Sequence, residues 1–128
     1  MPAEIRHIVF CPAEVAAAIR QYRRDTGRPL PAGALRRLDM QTAGSGVRAV
    51  LDLMPDDGSP PGIWEIGNAE LTDAVIRYCK AHGIPLPAAG TKGLQCFGDS
   101  LLLIVTMNLR GAGWPLSAGL SRPAANPA

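Results

Sequence analysis

Apolar residues stand at Val15, Ala18, Ile19 and Tyr22, and the same spacing returns at Leu71, Ala74, Val75 and Tyr78. Positions i, i+3, i+4 and i+7 lay one apolar stripe along a helix, so two amphipathic helices are predicted. Arg20, Arg23 and Arg24 lie off the stripe of the first. Its start is written in Cys11-Pro12-Ala13-Glu14. Proline fits the first helical position, and Glu14 stands where a capping-box carboxylate reaches back. Cys11 holds the cap slot that Ser or Thr usually fills. Gly27 and Gly83 end the two helices, and Pro29 and Pro85 bar their continuation.

Between the helical stripes the pattern changes to strands. Residues 4–10 (EIRHIVF) are branched and aromatic and predict a first strand. Residues 34–41 and 47–53 flank the turn-rich stretch 42–46 and predict a hairpin. Val47, Ala49, Leu51 and Leu53 alternate there with Arg48 and Asp52, the mark of a half-buried strand. A turn cluster over 56–62 is followed by a short strand at 63–66. A second hairpin is predicted from 93–97 and 101–107 around Gly98-Asp99-Ser100. Leu30 and Leu86, each held between two prolines, are expected to plug the core.

Adding 56 to residues 13–32 aligns them with 69–88, with nine identities in twenty: Ala13, Glu14, Ala18, Tyr22, Gly27, Pro29, Leu30, Pro31 and Ala32. The chain therefore reads as an α+β protein made of a duplicated β-α-β-β unit, with repeats at about 4–54 and 62–108. Two such units pack most naturally with both helices on one face of a mostly antiparallel six-stranded sheet. The alternative is a ferredoxin-like arrangement with residues 63–66 outside the sheet. Residues 1–110 form one domain on this reading, and 111–128, rich in Gly, Ala and Pro, a flexible C-terminal tail.

Composition narrows the setting. At 128 residues and 47% hydrophobic, the chain suffices for one core, but with 5% aromatic residues that core is aliphatic and thin. Burial against a partner follows as an expectation. No apolar run nears the ~20 residues of a spanning helix, and the N-terminus lacks a basic flank leading into an apolar segment. Three cysteines, an odd number, fit a reducing cytoplasm rather than a disulfide frame. The abundance of Ala, Gly, Pro and Arg matches a GC-rich bacterial coding sequence. Charge is uneven: residues 1–38 carry seven arginines against three acids, and 39–73 one arginine against seven.

Candidate chemistry is sparse. Cys11 at a helix N-terminus invites a lowered thiol pKa, but a plain cap explains it equally. Cys79 and His82, three apart, could join Cys96 or His7 at a metal, yet one C-x-x-H pair without a second does not define a site. Glu14 and Glu70 suit the positive ends of their helices. No Walker loop, GxSxG or GxGxxG is present. The sequence thus gives no catalytic residue, cofactor or metal, and predicts no enzyme.

Two surfaces remain. Leu101-Leu102-Leu103-Ile104-Val105 is apolar on both strand faces, so one face, at Leu102 and Ile104, must be covered by a homodimer partner or by the tail through Trp114 and Leu116. Arg20, Arg23, Arg24 and Arg28, with Arg36 and Arg37, could meet phosphates or an acidic protein. The leading expectation is a small non-catalytic interaction or adaptor module acting through homo-oligomerisation and partner binding. A nucleic-acid-binding regulator using those arginines stands second, and a ligand sensor with a pocket between the repeats third. No membrane partner is expected.

Overall fold

The computed structural model describes residues 3–87 and 90–108. Eight elements follow in chain order: β1 (Ala3–Phe10), α1 (Pro12–Asp25), β2 (Gly33–Ala43), β3 (Gly46–Pro55), β4 (Gly62–Ile66), α2 (Asn68–Ala81), β5 (Thr91–Phe97) and β6 (Ser100–Asn108). The protein is α+β, with two helices and two three-stranded antiparallel sheets. No described helix is long and apolar enough to cross a membrane. The expected tail, 111–128, lies outside the described residues.

Each helix begins one residue after a strand, at Cys11 and at Gly67. The Cys11 backbone N–H donates to the Glu14 carboxylate at 2.9 Å, which satisfies a donor that the first helical turn cannot. At the other end of α1, the Thr26 N–H and hydroxyl both donate to the Tyr22 carbonyl, at 3.0 and 2.9 Å. Gly27 then takes φ +76°, a left-handed conformation that glycine enters without a Cβ penalty. Helix α2 stops in the same manner, with the His82 N–H on the Tyr78 carbonyl and Gly83 at φ +70°.

The sheets run β2-β3-β4 and β1-β6-β5. Strand β4 adds to the β2–β3 hairpin, with Leu51 opposite Trp64, and β1 adds to the β5–β6 hairpin, with Ile8 opposite Leu103. Each half of the chain therefore lends its first strand to the other half's hairpin. Because β4 is paired from Gly62 to Ile66, the ferredoxin-like alternative with this strand outside the sheet does not describe the chain.

The expected six-stranded sheet is divided. Strand β5 touches β2 and β3 but shares no hydrogen-bond ladder with either. Strand β2 carries a bulge between Leu35 and Arg37, where an extra residue bends and twists the strand locally. The bulge also leaves both Arg36 and Arg37 exposed, where strict alternation would have turned one inward.

One core cluster draws on both helices and both sheets. Phe10, Val15, Ile19, Val47, Leu51, Ile66, Leu71, Val75, Leu101, Leu103 and Val105 are all buried in it. Leu30 and Leu86 are less deeply placed than expected: both are half-buried and pack against its margin, as do Tyr22 and Tyr78. The β2–β3 hairpin is tied to α2 by the Asn68 side chain, which accepts the Val47 N–H at 2.9 Å. Gly46 makes room for that contact, since a Cβ there would lie 2.2 Å from the Asn68 oxygen.

Two outcomes follow. Leu103→Ala removes a fully buried side chain from the central strand of its sheet and should cost about 2–5 kcal/mol in a denaturant melt. Ile63→Ala, at a side chain 66% exposed, should stay within about 0.5 kcal/mol of the parent. In the turn after β3, the Ser59 side chain and then its N–H, at 2.9 Å, hold the Asp57 carboxyl below its usual 3.8. A depressed carboxyl adds stability above its unfolded value and loses it as pH falls through the folded one. An NMR titration should therefore place the Asp57 midpoint below 3.8, and Ser59→Ala should move it up.

Candidate interaction surface

Strand β6 sorts its side chains by parity. Leu101, Leu103, Val105 and Met107 enter the core, and Leu102, Ile104 and Thr106 take the opposite, outer face of the sheet. The register brings Val9 and Gln95 beside Leu102, His7 and Gly93 beside Ile104, and Ile5 and Thr91 beside Thr106. Phe97 pairs with Ser100 at the end of the same face. Three of these apolar side chains are open to solvent: Ile5 at 61%, Val9 at 51% and Phe97 at 61%.

Leu102 and Ile104, the residues singled out from the sequence, are not the open part of this face. Leu102 is 8% exposed and Ile104 is half-buried. The turn between β2 and β3 borders a hollow of about 400 Å³ shared with Gly93, Ile104 and Thr106, so the chain itself shelters that end of the strand. Trp114 and Leu116, named as an alternative cover, lie outside the described residues. The sequence reading missed Ile5, Val9 and Phe97. The signal was there in residues 4–10, where Ile5 and Val9 alternate with Ile8 and Phe10, leaving apolar groups on both faces of an end strand.

The other sheet presents a different outer face. Its central strand β3 places Arg48 there opposite Gln41, and Asp52 opposite Arg37 and Ile63. Arg48 lies 3.5 Å from Glu65 and donates to the Gln41 side chain at 2.7 Å. Arg36 meets Asp52 at 3.5 Å, and Arg37 meets Asp39 at 2.9 Å. One sheet thus turns ion pairs to solvent, with Ile63 and Met54 among them, and the other turns Ile, Val and Phe with no charged side chain in the paired positions of that face.

The first-half arginines do not converge on one open patch. Arg23 is paired with Glu70 across the helix interface, and Arg28 reaches the same carboxylate at 3.8 Å. Arg20 donates to the Gly33 carbonyl at 3.0 Å, and Arg24 to the Gln21 side chain at 2.8 Å. Arg77 returns the tie from α2, 3.8 Å from Asp25 and 5.3 Å over the Tyr22 ring. Glu70 thus serves the helix–helix contact as well as the first turn of α2.

Cysteine and histidine separate in the same way. Cys79 is buried in the core, while His82, on the last turn beyond it, is exposed and stacked on Tyr78 at 4.0 Å. Cys11 is exposed and Cys96 half-buried, and all three thiols are free. Among the described residues no three His, Cys, Asp or Glu side chains gather to hold a metal ion. Comparison with known protein families, curated proteins and solved structures finds no match to this chain.

Burial pushes the Cys79 thiol up, which lowers its thiolate fraction at neutral pH. A maleimide pulse on the folded protein should label Cys11 first and leave Cys79 untouched until denaturant is added. Labelling of Cys79 at the rate of Cys11 in native buffer would show that the core opens readily.

Proposed function

We propose that this chain is a small non-catalytic association module whose working surface is the outer face of the β1-β6-β5 sheet, and that it pairs there with a second copy of itself. We also read it as two copies of one β-α-β-β unit with both helices on one side, working in a reducing cytoplasm. The observation that carries the association reading is the contrast between the two outer faces. One sets its exposed Ile63 and Met54 among ion pairs, and the other exposes Ile5, Val9 and Phe97 around Leu102 and Ile104 with no charged neighbour in the paired positions of that face.

Fully burying an Ile, Val or Phe side chain contributes roughly 1.5–3 kcal/mol. Covering the exposed halves of three of them on each copy is a real driving force. The face carries no Lys, Arg, Asp or Glu in its paired positions, so two copies can meet without like-charge repulsion. That suits a two-fold, self-complementary contact better than a partner selected by charge. Three strands about 4.8 Å apart and seven residues of about 3.3 Å give a projected footprint of roughly 300 Å². A standard interface uses about 800 Å² per partner, so the dimer is expected to be reversible. The nucleic-acid reading draws less support, because Arg23, Arg28, Arg36 and Arg37 already face carboxylates.

Sedimentation from about 1 µM to about 1 mM, the span of reversible affinities, should show mass rising from monomer towards dimer. The double variant Val9→Lys, Phe97→Lys changes only exposed positions and should remain folded and monomeric throughout. A wild type that stays monomeric at the upper limit, or a variant that associates equally well, would remove this reading.

A further inference from the structure

A second surface lies on the helical layer. Arg23 of α1 reaches Glu70 at the start of α2, and Ala17 and Ala81 border a common hollow, so the helices run antiparallel. Between them is a groove of about 360 Å³. Ala17, Arg20, Gln21 and Arg24 form one wall, and Tyr78, Ala81 and His82 the other. Two arginines and a histidine line it, and no Asp or Glu does.

This distribution of charge is selective. The neighbouring arginines face carboxylates: Arg23 and Arg28 share Glu70, and Arg77 lies 3.8 Å from Asp25. Arg20 and Arg24 meet no carboxylate among the described residues; their contacts are the Gly33 carbonyl and the Gln21 amide oxygen. Each bond uses one nitrogen of a guanidinium that has five donors, which leaves the geometry for a forked contact with an oxyanion.

The rest of the groove favours a flat body on that anion. Tyr78 packs edge-on against Phe10 and face-on against His82, with the His82 ring inclined only 21° to it. The exposed His82 ring ends the stack and offers a further planar surface. Ala17 and Ala81 keep the space between the helices open. His82 Nδ1 lies 3.1 Å from the Tyr78 carbonyl, which can only accept, so Nδ1 carries a proton and Nε2 is the nitrogen left for a ligand.

We infer that the α1–α2 groove binds a small phosphate monoester carried on a flat ring, with Arg20 and Arg24 on the phosphate and His82 beneath the ring. A nucleic-acid strand fits less well, because Arg23, Arg28 and Arg77 beside the groove already face carboxylates.

The test uses the full chain, followed by backbone NMR, with phenyl phosphate, inorganic phosphate, phenol and a short RNA oligonucleotide as probes. Phenyl phosphate should shift the amides of residues 17–24 and 78–82, inorganic phosphate the same amides more weakly, and phenol none. Arg24→Gln, at an exposed side chain, should weaken phenyl phosphate about tenfold or more, as loss of a charge-assisted bond does. Ala17→Glu, which sets a carboxylate in the groove, should abolish binding with the circular dichroism unchanged. If Arg24 serves only the negative end of α1, Arg24→Gln will lower the melting temperature and leave the titration as it was, and the proposal fails. It fails equally if phenyl phosphate gives no shift at millimolar concentration, or if the RNA binds tightly and phenyl phosphate does not. Because the dimer face is on a sheet, loss of either property leaves the other standing.

Discussion

The ladders that join β1 to β6 and β4 to β3 are the constraint on which the remainder rests. A βαββ segment alone would leave its helix strand unpaired beside its own hairpin. Here the first strand of each half completes the other half's sheet, so neither sheet exists without both halves. The core inherits this interdependence. Phe10 from β1 and Leu101 from β6 meet side chains from both helices and from β3 in one cluster, and no smaller set of elements closes it. A thin aliphatic core is thereby shared by every element instead of being split in two.

Much of this was legible because it is local. The stripe Val15, Ala18, Ile19 and the stripe Leu71, Ala74, Val75 are buried as the helical period requires, and Gly27 and Gly83 sit at positive φ where the helices stop. The turns at Gly44 and Gly98 likewise close their hairpins. What the pattern could not convey is which strands pair across the chain. Nothing in residues 63–66 says that Trp64 lies opposite Leu51, since a period of two assigns a face but not a neighbour. The bulge at Arg36 was hidden as well, because bulges leave no mark in an apolar pattern.

The surfaces were legible in part, for a related reason. The apolar excess at Leu102 and Ile104 was visible, but which of these side chains meets water depends on the turn of another hairpin and on the strand beside them. The arginines were visible as a cluster in sequence. In space they are dispersed: Arg23 holds the two helices together, Arg20 ties α1 to the start of β2, and Arg36 and Arg37 cover a sheet. Charge counted along a chain cannot distinguish a solvated patch from a set of internal ties, because the partners Glu70, Asp52 and Asp39 come from other elements.

The pairing of β1 with β6 also bears on how the molecule is made. Phe10 lies opposite Leu101 and Ala3 opposite Asn108, so every bond in that ladder closes a loop of more than ninety residues. Such contacts return their free energy late, after the entropy of closing the loop has been spent, and they slow folding. During synthesis β1 is made well before β6, the strand that pairs with it. Until β6 follows, β1 stands without this neighbour, with Ile5 and Val9 on one side and Ile8 and Phe10 on the other. The nascent chain is therefore open to misassociation at β1 until that ladder closes.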